Sequence, residues 1–310
     1  MKFFGHYALD AGFVKEKYRI EETYYAPFGE NPGPYIAKVI KALGPKKIGL
    51  CGTRNLGASV YRALIENLEE IEVEEATDII DNLRMVKSHE ELKYIKKVAA
   101  VADFAMDYVR STLTPGKVEC DLINEVDYEV KKRGVEDSFY FIGSGKVPSI
   151  VYPAFTATRR IEAGDLVIFN SELAGEEGYC TQCVRFYSLG KPGEEVSEAY
   201  EILKAAFEAG RNNLRQGNRI CDVANGMLNV VQGAGYTMAL HMGHGQGLDM
   251  MERPFPTPDD GTELKTNMTI TLHPQVVLRN GINIFVANQY IVTEQGGNCL
   301  HKTPNVVIVV

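Results

Sequence analysis

Apolar positions fall into two different rhythms along this chain. Between residues 32 and 43, Ile36, Val39 and Ile40 recur at helical spacing until Gly44-Pro45 breaks the run. Residues 48–51 are a short apolar run, 58–68 return to the helical pattern, and Ile71-Glu72-Val73 alternates as a strand does. Short helices alternating with short strands predict a small α/β layer. The character changes around residues 82–87. Ser88 and Glu91 form an S-x-x-E capping box, in which hydroxyl and carboxylate each satisfy a free backbone N–H. Beyond it Leu92, Ile95, Val98, Ala102, Met106 and Val109 share one face of a long amphipathic helix, which Thr114-Pro115-Gly116 stops. The pattern divides the chain into a small N-terminal α/β domain, 1–85, and a larger α+β domain, 86–310.

The larger domain repeats itself. Leu113, Gly116, Cys120, Asp121 and Gly134 recur as Leu214, Gly217, Cys221, Asp222 and Gly235, all in one register. Both copies read as helix, glycine turn, second helix and terminal glycine, with Asp121 and Asp222 expected as N-caps. Each copy then runs into a strand, at 166–169 and 269–272. The period is too long for a solenoid. Two duplicated α+β halves would place a site at their pseudo-symmetric interface.

Charge and cysteine usage narrow the function. Lys+Arg 33 against Asp+Glu 41 gives a net charge of −8, which argues against a protein that tracks nucleic-acid phosphates. No run of about 18 apolar residues is present, so no membrane span is expected. The opening residues have neither the apolar stretch nor the cleavage site of a secretory signal. The six cysteines are therefore expected as reduced thiols in a cytoplasmic protein. Cys180 and Cys183 match C-x-x-C, but on a strand over 179–186 they point to opposite faces, so they read as structural thiols.

The stretch Arg84-Met85-Val86-Lys87-Ser88, then Gly164-Asp165-Leu166-Val167, Gly243-His244-Gly245-Gln246-Gly247-Leu248 and Met268-Thr269-Ile270-Thr271-Leu272, resembles the pita-bread family. That family holds methionine aminopeptidase, prolidase, Xaa-Pro aminopeptidase and creatinase. The resemblance covers about 88–310, and 30–87 more weakly. It implies an α+β pita-bread domain with an internal pseudo-two-fold repeat, behind a shortened α/β N-terminal domain. It also implies a homodimer, with a reduced N-terminal sheet whose edge another element covers.

The family's peptidases hold two divalent metals with Asp, Asp, His, Glu and Glu, because hard cations want anionic oxygen and two of them clamp a bridging hydroxide. The resemblance sets these positions on Asn170, Gln182, His244, His273 and Ala287, and only the histidine survives. Two flanking family histidines become Pro153 and Met251. The expectation is a site without metal or other cofactor. Creatinase, the family's metal-free precedent, cleaves a C–N bond with histidine and carboxylates, but its base falls on Pro153.

The expected function is a metal-independent hydrolase of a small carboxylate- or carbonyl-bearing substrate. His244 and His273 would move protons, Glu252 would orient a histidine, and Asn170, Gln182 and Arg185 would hold substrate. A wall of neutral donors that can become cationic would suit an anionic or polar neutral ligand. Two alternatives stand beside it: a mononuclear metal on His244, His273 and His241, and a non-catalytic binding or assembly module.

Overall fold

The structure is a computed structural model that describes residues 2–5, 16, 20–148, 150, 152, 154–238 and 241–310. Pro153 lies outside them, as does most of the opening segment read above for a secretory signal. Two compact units divide the chain, Met1–Leu83 and Arg84–Val310.

In the first unit β1 (Lys2–Gly5) pairs in parallel with β2 (Glu22–Tyr25), and β3 (Lys47–Leu50) pairs in parallel with β4 (Glu72–Glu75). Helices α1 (Gly33–Ala42) and α2 (Ala58–Glu66) enclose a core around Ala37, Leu64 and Leu68, with Ile36, Ile40, Ile48 and Val73 packed against it. The helical and alternating patterns of the sequence thus close one small layer. The unit boundary falls in α3 (Thr77–Met85).

The second unit opens with the capping box. Glu91 N donates to Ser88 Oγ at 3.3 Å, and Ser88 N donates to Glu91 Oε2 at 2.6 Å. Helix α4 (His89–Thr112) buries all six residues of its apolar stripe. It covers one face of an antiparallel sheet of β5 (Asp137–Gly145), β6 (Leu166–Ala174) and β7 (Cys180–Ser188), to which β14 (Ile308–Val309) adds in parallel. Strands β6 and β7 are buried along their whole length. Alternate side chains enter two different cores: Val167, Phe169, Cys183 and Tyr187 face α4 and α5 (Glu119–Lys131), while Ile168, Val184 and Phe186 face the second half. That half pairs α6 (Glu194–Asn213) and α7 (Ile220–Gly233) with a sheet of β8 (Gly243–Gly245), β9 (Thr269–Leu272), β12 (Asn288–Val292) and β13 (Gly297–Cys299). A short hairpin, β10 (Gln275–Val277) and β11 (Asn283–Phe285), stands beside it. No helix among the described residues is long and apolar enough to cross a membrane.

The repeat extends to individual hydrogen bonds. Gly116 N donates to Ile161 O and Gly217 N to Leu264 O; Glu119 N to Arg159 O and Ile220 N to Thr262 O; Cys120 N to Ala157 O and Cys221 N to Asp260 O. Gly116 and Gly217 take φ of 96° and 87°, in the left-handed region that favours glycine. The expected caps need correction. Asp121 and Asp222 are third in their helices, behind the caps Val118 and Arg219, and Asp222 Oδ2 accepts from Arg219 N at 2.9 Å. The chain before each helix is held in strand-like bridges, Val118 to Arg160 and Arg219 to Glu263, so each helix starts before its aspartate.

Candidate functional site

The polar residues of β6 and β7 gather where the two sheets meet. Glu172 lies opposite Gln182 in the antiparallel register, and Asn170, two residues from Glu172, shares its face. Gln182 Nε2 donates to Asn170 Oδ1 and to Glu172 Oε1, both at 3.0 Å. Gln182 Oε1 lies 3.2 Å from His244 Nε2, and His244 Nδ1 is 2.9 Å from the Gly245 carbonyl. The ring centroids of His273 and His244 are 5.4 Å apart, and His241 stands 4.6 Å from His273. These groups close one end of a cavity of about 330 Å³, whose other walls include Phe139, Phe141, Phe285 and Met251. His273 Nδ1 is buried with no protein partner among the described residues.

His244 is placed by main chain. A Cβ on Gly243 would stand 2.2 Å from Thr271 O, and one on Gly245 would stand 2.3 Å from Arg253 O. Only glycine on both sides lets β8 slide between its neighbours.

The electrostatics follow from burial. Glu172 is pushed up to about 7, because desolvation outweighs the hydrogen bond from Asn170. His244 is pulled down to about 4 by burial, and His273 falls well below the usual histidine range for the same reason, with His244 and His241 adding to it. The imidazoles are therefore neutral near pH 7. The wall of donors is thus neutral at that pH, and Glu172 supplies a carboxyl group the sequence reading overlooked. Its signal was there: position i+2 from Asn170 on a strand faces the same way.

Asn170, Gln182, His244 and His273 are thus brought together, with Asn170 behind the wall. Arg185 and Glu252 are not. Arg185, three residues beyond Gln182, projects to the opposite face of β7. It is fully buried, donating from Nη1 to the Val184 and Ala287 carbonyls and from Nη2 to Asn288 Oδ1 and the Thr303 carbonyl, at 2.7–2.9 Å. Its guanidinium ties the two sheets together and lies off the cavity wall. Among the described residues Glu252 meets no histidine; its carboxylate pairs with the buried Lys87 ammonium and with Arg84 at 2.9 Å. Cys180 and Cys183 stand on opposite faces of β7 with thiols pushed up to about 12 by burial, which keeps them protonated.

Residues 93–294 match metallopeptidase family M24. The chain belongs to that family. It is 28% identical to an Xaa-Pro dipeptidase of Pyrococcus horikoshii over 267 residues, covering 83% of this chain and 76% of that one. An uncharacterized peptidase, YqhT, of Bacillus subtilis is 25% identical over 280 residues, covering 88% of this chain and 78% of that one. The crystal structure of the prolidase from Pyrococcus horikoshii superposes with a TM-score of 0.85 at 26% identity, over 97% of this chain and 84% of that one. An X-Pro aminopeptidase from Thermotoga maritima gives a TM-score of 0.88 at 22% identity, over 99% and 85%, which speaks for the fold alone. The pita-bread fold and its resemblance are therefore established for this chain.

The M24 name implies bound metal, and the residues at its family positions do not fit a pair of hard cations. Two are amides; Gln182 turns its Nε2 on Asn170 and Glu172, and its oxygen is already shared with His244. Ala287 offers no side-chain donor, and Glu172, held partly protonated, is the one carboxyl group on the cavity wall among the described residues.

Proposed function

We propose that this M24 chain hydrolyses the C–N bond of small, neutral, carbonyl-bearing substrates with imidazole and carboxyl side chains in place of a dinuclear metal centre. The observation that carries this reading is the grouping of Glu172 and His273 at one end of an aromatic-lined cavity, braced by Gln182 and His244. Family membership supports hydrolysis, and the aromatic walls suit a compact substrate with a short polar end. A neutral wall beside Glu172 favours a neutral carbonyl over a carboxylate, which Glu172 would repel once ionised.

The roles follow from which atoms are committed. His244 faces the Gly245 carbonyl through Nδ1 and Gln182 through Nε2, so it positions Gln182. His273, neutral and lining the cavity, takes the proton from attacking water. Glu172, near 7, is matched to giving its proton to the leaving nitrogen at working pH.

The test is turnover of a panel of small amides, ureas and Xaa-Pro dipeptides by purified protein, with and without chelator. Chelator-insensitive turnover that His273→Ala and Glu172→Gln each reduce at least ~100-fold is the expected outcome. Activity that needs one metal equivalent and disappears in His241→Ala would replace this reading with a mononuclear centre. Tight ligand binding without turnover would replace it with a binding module.

A further inference from the structure

The register of the first sheet sets apolar rings beside the polar end of the cavity. In the antiparallel pairing of β5 and β6, Phe139 stands directly across from Glu172 and Phe141 across from Asn170, and β7 continues the first row with Gln182. Phe139 and Phe141, two residues apart on one strand, share the face that carries Glu172. Neighbouring strands lie about 4.8 Å apart, so the Phe139 side chain starts one strand spacing from that of Glu172.

The rings continue as a row. The Phe285 ring centroid is 5.2 Å from that of His273 and 5.8 Å from that of Phe141. Phe141 is 6.5 Å from Phe139, edge to face, and Phe139 is 5.0 Å from Tyr152. Each ring meets the next, from the histidine end of the cavity to an exposed tyrosine. Phe139, Phe141 and Phe285 all line the cavity, and among the described residues no lysine or arginine does. A group lying along this wall is therefore held by ring faces and edges, not by an ion pair. Such rings attract a flat aromatic group through offset and edge-to-face contact, beyond what its buried area gives. A saturated ring of similar size gains the area alone. A cage for an organic cation closes rings around one point, whereas these run in line.

We propose that the cavity selects amides that carry an aromatic ring about one or two carbons from the carbonyl, the amide lying at Glu172 and His273 and the ring along Phe139 and Phe141. This deepens, and rests on, the reading of the cavity as the seat of a small neutral carbonyl substrate. The linker follows from the strand spacing. A ring joined directly to the carbonyl stops short of Phe139, and a long linker carries it on toward the exposed Tyr152. Phe139 is the specificity-determining residue, because it stands opposite Glu172 and is only half-buried, so its ring can meet a ligand.

The experiment is calorimetric titration of the full chain with phenylacetamide, its saturated counterpart cyclohexylacetamide, 4-phenylbutanamide and benzyltrimethylammonium. Phenylacetamide is expected to bind about tenfold tighter than cyclohexylacetamide. The longer 4-phenylbutanamide is expected to bind no tighter than phenylacetamide despite its extra methylenes, and the ammonium ion to bind weakest. Phe139→Leu is expected to shrink the tenfold difference to about twofold or less, while cyclohexylacetamide binds as before. Equal affinity for the two rings in the unaltered protein, no detectable binding of phenylacetamide, tighter binding of the ammonium ion, or a preference that survives Phe139→Leu overturns the inference. The comparison of the two rings needs no variant to fold. Aromatic preference without turnover of any amide would leave the ring site standing and remove the hydrolase; turnover of aliphatic and aromatic amides alike, with no preference in binding, would do the reverse.

Discussion

Arg185→Met asks whether a buried guanidinium belongs to the substrate or to the frame. The side chain is wholly inaccessible and gives four hydrogen bonds, three to backbone carbonyls and one to Asn288 Oδ1. Bonds from a charged donor contribute ~1.5–3 kcal/mol each, so the gross sum is on the order of 10 kcal/mol. Against it stands the desolvation of a cation that, among the described residues, no carboxylate neutralises at hydrogen-bond range, a cost of several kcal/mol. Methionine fills most of the aliphatic volume, so the cavity contribution is small. It leaves four acceptors facing a thioether, each costing ~1–3 kcal/mol unless water enters. The expected net loss is about 3–5 kcal/mol, read as a lowered urea midpoint by circular dichroism. The affected contact is the Val184–Ala287 bridge between the two halves, so the transition should also broaden as they uncouple. A loss below ~1 kcal/mol refutes this reasoning. Unchanged stability with a raised KM would return Arg185 to the substrate.

Three other outcomes are expected. Gly247→Ala would bring a Cβ to 2.4 Å from Glu252 Oε1 and 2.7 Å from Lys87 Cε; prising that buried pair apart should cost ~1–3 kcal/mol in thermal or urea unfolding, and an unchanged midpoint would deny the crowding. Glu172 has a folded pKa near 7, above its ordinary 4.5, so its contribution to stability is full below about 4.5 and fades as pH rises to 7; relative to Glu172→Gln, the parent should lose up to about 3 kcal/mol across that window, and a flat difference would mean the carboxyl is not desolvated. The parallel pair β3–β4 leaves strand edges in the first unit, and we propose that a second subunit covers one of them; light scattering at micromolar concentration should give the mass of a homodimer, and a monomer mass would count against it.

Periodicity made the frame legible because burial repeats. The stripe from Leu92 to Val109 and the register shared by Gly116 and Gly217 are local signals that survive folding unchanged. The aspartate caps were misplaced because the strand-like bridges that start α5 and α7 early come from residues some forty positions away. Within the site, Asn170, Gln182, His244 and His273 could be found because the motifs fix their strands. Arg185 was assigned to the substrate although the parity that separates Cys180 from Cys183 also separates it from Gln182. Glu172 escaped because its partner is set by the β6–β7 hairpin register, and Glu252 because its attraction to Lys87 and Arg84 depends on tertiary contacts no spacing reveals.

The two glycines around His244 carry a consequence for how this molecule tolerates change. The wall of the cavity is positioned by backbone threading a gap too narrow for a methyl group, so its aim does not depend on which side chains project from it. Saturation mutagenesis should therefore find Gly243 and Gly245 nearly immutable while Asn170, Gln182 and His273 accept replacements that keep the chain folded. Chemistry can be rewritten on such a surface without re-engineering its support, and a hydrolase of altered specificity is more readily sought by varying those three positions than by reshaping the loops.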